Sequence, residues 1–271
     1  MVESIPSLAA LKRHIASLDR APARDACARF ATGHAPLDDA LGGGLACGRV
    51  HELFGEGEEE GAAAGLALLW AQLAGGEAPL LWLRTQGAAR VGGAPYGPGL
   101  AALGLDPARL LIGTMADDAM LLRAGIDALR CPALGGLVME LRGRAPLLDL
   151  TASRRLALAA EASGVTALLL RIGGAPTPSA ADTRWRVTAA PSAPLPGNGP
   201  GRAAFALTLL RRRAGSDGQA WRLVWDRDRG SFGDAGDERH DDGRDRADAY
   251  APLSGAELPL SAGRSAADRA A

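Results

Sequence analysis

Short, almost wholly apolar segments alternate with helical segments along the middle of the chain. Such segments are typical of strands buried on both faces, because a half-exposed strand would alternate apolar and polar residues. Strands separated by helices favour a parallel sheet with helices on both faces. We therefore predict an α/β fold with a mainly parallel sheet, whose strands cover residues 50–54, 80–83, 109–114, 134–141 and 165–172.

A different pattern follows the last of these strands. Residues 173–201 are rich in Pro, Gly, Ala and Ser, which predicts a flexible loop that is interrupted only by the pentapeptide TRWRV. Residues 204–213 and 220–226 are then predicted to be two antiparallel strands that close one edge of the sheet. The predicted helices cover residues 37–41, 62–73, 100–103, 120–129 and 147–163.

The two ends of the chain differ from the core, which we place at residues 31–232. Residues 1–30 form a predicted N-terminal helical arm, whose apolar face either packs on the protein's own core or docks on a partner. Residues 233–271 mix acidic and basic side chains with few apolar ones, so they are predicted to be disordered. The apolar face of the arm consists of Leu8, Leu11, Ile15 and Leu18.

The charge and cysteine content argue against several classes of protein. The 30 basic and 31 acidic residues give a net charge of −1, so the whole chain has no basic footprint for nucleic acid. The 3 cysteines lack metal-ligand spacing, which argues against a zinc site or a disulfide framework and favours a reducing cytoplasm. The N-terminus has no apolar run long enough for a signal peptide or a membrane span. We therefore expect a cytoplasmic protein without a metal site or membrane contact.

An ordered motif leads into the first buried strand. Its pattern is TG-x3-LD-x2-LGGG-x3-G-x-V-x-E-x2-G, from Thr32 to Gly55, and it runs into the segment GEGEEEGAAAGLALL. A strand, a glycine-rich turn and an Ala/Leu helix in this order are typical of a phosphate-binding loop. The motif resembles the opening of the RecA-type core, in the recombinase and KaiC branch of the P-loop ATPases. This resemblance implies the same α/β fold.

The resemblance also identifies the phosphate-binding positions of that family, and they are changed here. The lysine position holds Gly61, or Ala62 if the loop has one extra residue, and the hydroxyl position holds Ala62 or Ala63. The loop after Gly55 therefore lacks the lysine that holds phosphate and the hydroxyl that holds Mg²⁺. It carries three carboxylates instead, which would repel phosphate and are themselves favoured by the helix dipole. They belong to Glu58, Glu59 and Glu60.

Two further positions of the RecA-like ATPases are altered. Gln86 stands where the family has the acid that activates water, and an amide cannot accept a proton from water at neutral pH. Glu140 stands where the Walker B aspartate belongs, but it has no lysine or hydroxyl to help it hold a metal. We therefore predict a pseudo-ATPase that has no catalytic residue and binds no nucleotide cofactor.

Later segments are similar to one family of RecA-like proteins. GLAALGLDPARLL, DLTASRRLALAAEASGVTALLLR, DTRWRV, LTLLRRR and WRLVWD look like the ImuA family, accessory proteins of bacterial mutagenic translesion synthesis that some classifications relate to SulA. The resemblance covers residues 5–232 and implies a non-catalytic accessory role in SOS-induced translesion synthesis. It implies as partners an ImuB-like Y-family protein and an error-prone replicative-type polymerase, with RecA as a further candidate.

Two alternatives from other classes stay open at this point. An active RecA/KaiC-type ATPase with an unusual loop would show saturable binding of ATP and Mg²⁺ in a calorimetric titration. A SulA-like cell-division inhibitor would cause filamentation when it is expressed in cells that lack the translesion genes.

Several arginines near the end of the core are candidate contacts for DNA or a partner. Arg184 and Arg186 flank Trp185 in the predicted loop, where they would neutralise phosphates while the indole stacks on a base. Alternatively, Trp185 anchors the loop to the body of the protein. Arg171 ends an apolar run at the carboxyl end of a strand, where open α/β sheets place their sites, but apolar runs often simply end in a charge. Because the net charge is close to zero, we expect weak single-stranded DNA binding at best. The remaining candidates are Arg211, Arg212 and Arg213, which contact DNA, a neighbouring subunit or only water.

Overall fold

The computed structural model describes residues 28–194, 199, 201–213, 215 and 217–234. These residues all fall in one structural unit, Met1–Glu238, while the second unit, Arg239–Ala271, lies outside the described residues. The predicted amphipathic helix with Leu8, Leu11 and Ile15 also lies outside them. No helix of the described part is long and apolar enough to cross a membrane.

A nine-stranded sheet forms the centre of the fold, with strand order β11-β10-β9-β8-β3-β7-β6-β4-β5. Strands β8, β3, β7, β6, β4 and β5 run parallel to one another, and β9, β10 and β11 extend the sheet in antiparallel fashion. This arrangement confirms the predicted mainly parallel α/β sheet. The strands are β1 (Arg29–Phe30), β2 (Leu45–Ala46), β3 (Val50–Gly55), β4 (Leu80–Thr85), β5 (Leu110–Met115), β6 (Gly136–Arg142), β7 (Thr166–Ile172), β8 (Thr183–Ala189), β9 (Ala204–Arg212), β10 (Ala220–Asp226) and β11 (Ser231–Asp234).

Helices cover both faces of the parallel part of the sheet, so the fold has two cores. One core lies between the sheet and α2, and the other lies between the sheet and the pair α5 and α6. Helices α5 and α6 begin at Asp117 and Asp149, whose carboxylates accept hydrogen bonds from the backbone N–H groups of Met120 and Ala152. The helices are α1 (Ala35–Leu41), α2 (Glu60–Gly75), α3 (Gln86–Gly92), α4 (Gly97–Ala102), α5 (Asp118–Leu129) and α6 (Leu150–Ser163).

The residues of the opening motif have a local structural role. The Asp38 carboxylate accepts hydrogen bonds from the backbone N–H and hydroxyl of Thr32 and from the backbone N–H of Gly33, each at 2.9 Å. Gly44 has a φ of 103°, and a Cβ atom there would lie 2.1 Å from the Phe30 carbonyl oxygen. These residues therefore fix the chain that leads into β3, and none of these contacts requires a nucleotide.

The segment that was predicted to be a flexible loop contains a strand, so that prediction is wrong. Residues 183–189 form β8, which pairs parallel with β3 and antiparallel with β9. Trp185 is 0% exposed and packs edge-on against Trp70 with their ring centroids 5.4 Å apart, so its indole cannot stack on a base in this structure. Arg184 is buried as well, and only Arg186 is exposed. At the end of the core, β11 continues to Asp234, beyond the predicted boundary at residue 232.

Candidate functional site

The segment after β3 has the backbone order of a phosphate-binding loop. Strand β3 ends at Gly55, a single 3-10 turn spans Gly57–Glu59, and α2 begins at Glu60. A Cβ atom on Gly55 would lie 2.7 Å from the Ala63 side chain, which explains why this strand ends in glycine. The strand–turn–helix geometry is therefore retained even though the family's reactive side chains are not.

The first turn of α2 distinguishes the two ways of aligning the loop. Gly61 is exposed and Ala62 is half-buried, whereas Ala63 lies in the core at 0% exposure. A hydroxyl on Ala63 would point into that core, so Gly61 and Ala62 correspond to the lysine and hydroxyl positions. Neither side chain can bind a phosphate or coordinate a metal ion.

An ion-pair ladder occupies this end of the sheet. Arg142 Nη1 donates to Glu60 Oε2 at 2.7 Å, and Arg142 Nε donates to Glu140 Oε1 at 2.7 Å. On the other side of Glu140, its Oε2 lies 3.4 Å from Arg84 Nε. Burial lowers the pKa of Arg142, but the hydrogen bonds to Glu60 and Glu140 outweigh it and raise the pKa overall, so the guanidinium stays charged.

Arg84 connects the ladder to the helix that carries Gln86. Its guanidinium is almost completely buried and donates to the carbonyl oxygens of Ala88 at 2.9 Å and Gly93 at 2.8 Å. Gln86 is the exposed first residue of α3, and Thr85 caps this helix by accepting a hydrogen bond from Ala88. The residue at the water-activating position therefore carries no carboxylate, and the turn around it is held by an arginine.

The remaining space at the ladder is small. A cleft of about 100 Å³ is left between the ladder and the sheet. Pockets for ligands of ordinary size measure roughly 300–1,000 Å³, so this cleft is smaller than a typical ligand pocket. Its lining includes Glu60, Gly61, Ala64, Trp82, Arg84, Glu140 and Arg142.

Another carboxylate of the loop bonds elsewhere. Glu59 accepts a hydrogen bond from the backbone N–H of Ala189, at the end of β8. Glu58 belongs to the 3-10 turn. Glu60 and Glu140, two of the acidic residues singled out in the sequence, are brought together by Arg142.

A second charged cluster lies on the opposite face of the sheet. Arg184 Nε lies 2.9 Å from Glu52 Oε2, and Arg171 Nη1 lies 3.9 Å from Glu52 Oε1. Burial raises the pKa of Glu52 against the opposing effect of the two arginines, and burial lowers the pKa of Arg171. Arg171 is 2% exposed and sits beside the Phe54 ring, so it does not present its charge at the surface.

The last three candidate arginines have different environments. Arg212 donates to the carbonyl oxygens of Ala40 at 2.8 Å and Leu41 at 2.7 Å, and therefore caps the C-terminus of α1. Arg211 and Arg213 are exposed.

The sequence did not point to Arg84 and Arg142, which complete the ladder. The one available signal was that each follows an apolar run at the same sheet edge as Glu60.

Comparison with known proteins agrees with the fold. The crystal structure of the RadB recombinase superimposes with a TM-score of 0.50 at 18% identity, over 76% of this chain and 99% of that one. At this identity the match shows the fold, which is a RecA-like α/β core. No family model matches the chain. Protein ImuA of Caulobacter vibrioides, in two strains, is 35% identical over 195 residues, 65% of this chain and 75% of the relative. The chain belongs to the ImuA family.

Proposed function

We propose that this protein is a non-catalytic, RecA-like adaptor of SOS-induced mutagenic translesion DNA synthesis in the cytoplasm, and that it acts through protein contacts. The observation that supports this proposal best is the ladder formed by Glu60, Arg142, Glu140 and Arg84. In an ATPase of this fold, the same end of the sheet holds phosphate and a metal ion. Here a carboxylate and a guanidinium of the chain itself lie there.

Binding of ATP would have to displace this arrangement. The Glu60 carboxylate would lie beside a triphosphate, and like charges a few ångströms apart cost on the order of a few kcal/mol at partial burial. Arg142 could contact phosphate only by giving up its hydrogen bonds to Glu60 and Glu140. The hydrogen bond to the buried Glu140 contributes about 1.5–3 kcal/mol, and the partly exposed pair with Glu60 contributes about 0–1 kcal/mol. No lysine at position 61 and no hydroxyl at position 62 would offset these losses.

The family supplies the biological setting of the proposal. A RecA-like fold that has lost its ATP cycle can keep the surfaces through which such proteins meet their partners. The partners we propose are an ImuB-like Y-family protein, an error-prone replicative-type polymerase and RecA. The N-terminal face with Leu11 and Ile15 is our first candidate for the contact.

Calorimetric titration with ATP and Mg²⁺ tests the loss of nucleotide binding, with an active RecA-like ATPase as the positive control. We expect no saturable heat at micromolar protein and ligand. Saturable micromolar binding by the wild-type chain would contradict the proposal. The triple variant Glu60→Gly, Gly61→Lys, Ala62→Thr restores the family's loop and breaks the ladder, and any binding that it gains identifies these three positions as the cause.

Pull-down with the ImuB-like protein tests the adaptor role. We expect capture that is unchanged by ATP, and weaker capture by the variant Leu11→Asp, Ile15→Asp. The matched control Ala9→Asp, Ala16→Asp introduces the same two charges on the other face of the predicted helix and should bind normally. Equal binding by both variants removes this helix from the proposal, and no capture of the wild-type chain argues against the adaptor role itself.

A further inference from the structure

One face of the antiparallel end of the sheet packs against α2. Trp185, Leu207 and Leu223 point to the core under α2, where each is buried. Neighbouring residues on the same strands point the other way, because side chains alternate between the two faces of a sheet. Helices α5 and α6 lie on that second face, but they pack on β3, β4, β5 and β6 at the parallel end.

Register brings three arginines onto the second face. Arg186 on β8 is paired with Thr208 on β9, which is paired with Ala220 on β10. One row further along, Ala206 is paired with both Thr188 and Arg222. In the opposite direction the register shifts between Arg184 and Trp185, which pair with Arg211 and Leu209. Leu210 is therefore an extra residue, and Arg211 lies on the same face as Arg184. From ordinary strand spacings, Arg186 lies about 12 Å from Arg222 and about 8 Å from Arg211, measured between Cα atoms. We call this surface the arginine face; its members are Arg186, Arg211 and Arg222 with Thr188, Ala206, Thr208 and Ala220 between them.

The charges of the arginine face are free to act on a ligand. Arg186, Arg211 and Arg222 are exposed, and their side chains make no hydrogen bond or ion pair with another described residue. Asp226, an acidic residue on this face, is engaged by Arg202 at 3.3 Å and by Arg229 at 3.8 Å. The face therefore carries a local positive charge even though the chain as a whole is nearly neutral.

The composition of the face favours one kind of occupant. Protein interfaces concentrate their binding energy in large aromatic and apolar anchors. The side chains that separate these arginines are mostly Ala and Thr, with the half-buried Leu210 beside Arg211. Guanidinium groups match phosphate oxygens in geometry and also stack on the planes of bases. Small side chains let an extended strand approach the sheet closely, and a flat face offers nothing that reaches into the grooves of a duplex.

We infer that the arginine face binds the sugar–phosphate backbone of a single-stranded nucleic acid, without preference for base sequence. Arg186, Arg211 and Arg222 each neutralise a phosphate, and the Ala and Thr side chains form the floor beneath the strand. This inference goes beyond the proposed adaptor role and does not rest on it. It also replaces the predicted contact through Trp185, which is buried.

Fluorescence anisotropy with a labelled oligothymidylate of about 20 nucleotides tests this site, since known single-strand sites cover roughly 4–16 nucleotides. We expect saturable binding at low salt that weakens as salt rises, with a slope near −2 because each neutralised phosphate contributes about −0.7. The variant Arg186→Glu, Arg211→Glu, Arg222→Glu should lose at least about tenfold in affinity and most of the salt slope. The milder Arg→Gln set should fall between this variant and the wild type.

The matched control carries the same charge change on α5 and α6, as Arg123→Glu, Arg154→Glu, Arg155→Glu, and should bind as the wild type does. Circular dichroism confirms that each variant is folded. Absence of saturable binding by the wild type overturns the inference, and so does an equal loss in the control set. Equal affinity for a duplex, or equal competition by polyglutamate of the same charge, would assign the face to a different ligand. A parallel titration with an oligouridylate of the same length tells whether the face prefers RNA or DNA. If no single strand binds, the ATP titration and the pull-down still test the adaptor role independently.

Discussion

The two charged clusters lie on opposite faces of one sheet and differ in how their charges are arranged. In the ladder, acids and arginines alternate, and Glu140 lies between Arg84 and Arg142, which donate to carbonyl oxygens or carboxylates. In the second cluster, one carboxylate lies between two guanidinium groups, and all three side chains are buried. We call this second set the Glu52 cluster.

This difference explains why the ladder, and not the Glu52 cluster, occupies the position of the family's ligands. The ladder lies at the carboxyl ends of β4 and β6 and in the first turn of α2, where the fold family holds phosphate and metal. Glu60 remains 37% exposed at its outer end. The Glu52 cluster instead joins β3, β7 and β8 inside the sheet. Burial dominates its electrostatics, which is why the pKa of Glu52 is raised and that of Arg171 is lowered.

Replacing the central carboxylate of the ladder should have the largest effect. In Glu140→Ala, Arg84 keeps a buried charge without its acid, so we expect a loss of about 3–5 kcal/mol in the free energy of unfolding. Urea unfolding followed by tryptophan fluorescence measures it. The control Glu77→Ala removes a carboxylate that is 98% exposed and should stay near the wild type. A loss below about 1 kcal/mol at Glu140 would mean that the ladder contributes little to stability.

Removing the charge of Glu52 should change the free energy of unfolding in a different way. Because burial raises the folded-state pKa of Glu52 above its reference value of 4.5, the protonated form is favoured by folding. Glu52 therefore contributes stability that is fully present below pH 4.5 and is lost as the pH rises through the folded-state pKa. At neutral pH we expect Glu52→Gln to lie within about 1 kcal/mol of the wild type, or to be more stable.

Urea unfolding of the wild type and of Glu52→Gln across the range from acid to neutral pH measures this prediction. The stability of the wild type should fall relative to the variant as the pH rises. The opposite slope, or a loss as large as that of Glu140→Ala, would show that the arginines outweigh burial at Glu52.

The outer end of the ladder should give the smallest effect. Glu60 and Arg142 are both partly exposed, so their pair contributes about 0–1 kcal/mol to stability. A double-mutant cycle with Glu60→Gln and Arg142→Met, again by urea unfolding, measures the coupling. Coupling above about 2 kcal/mol would show that the ladder acts as one cooperative network. Weaker coupling means that the Glu60–Arg142 pair adds little to the buried pairs around Glu140.

The order of strands and helices could be predicted because buried parallel strands leave a strong apolar pattern. Strand β8 could not, since Arg184 and Arg186 flank Trp185 within a Pro- and Gly-rich region and mimic an exposed loop. The partner that makes Arg184 tolerable in a sheet is Glu52, far earlier in the chain. Contacts between distant residues leave no local signal.

The same reason limited the prediction of the site. Glu60 and Glu140 were identified because the family's motif assigns a role to their positions. Arg84 and Arg142 occupy positions without such a role, and only the sheet order β3-β7-β6-β4 brings them to those carboxylates. The sequence therefore showed that the family's phosphate-binding side chains are lost. It did not show that Arg84 and Arg142 form ion pairs at that position.

The pairing of Glu60 with Arg142 has a consequence for regulation. A nucleotide switch works because its ligand arrives and departs, and it shifts a population only when it binds two conformations with different affinities. A carboxylate that is tethered by the chain has a permanent effective concentration and never dissociates into solution. On the proposed function, the cellular ratio of ATP to ADP would not gate partner binding. The amount of the protein itself would then be the variable that the cell controls.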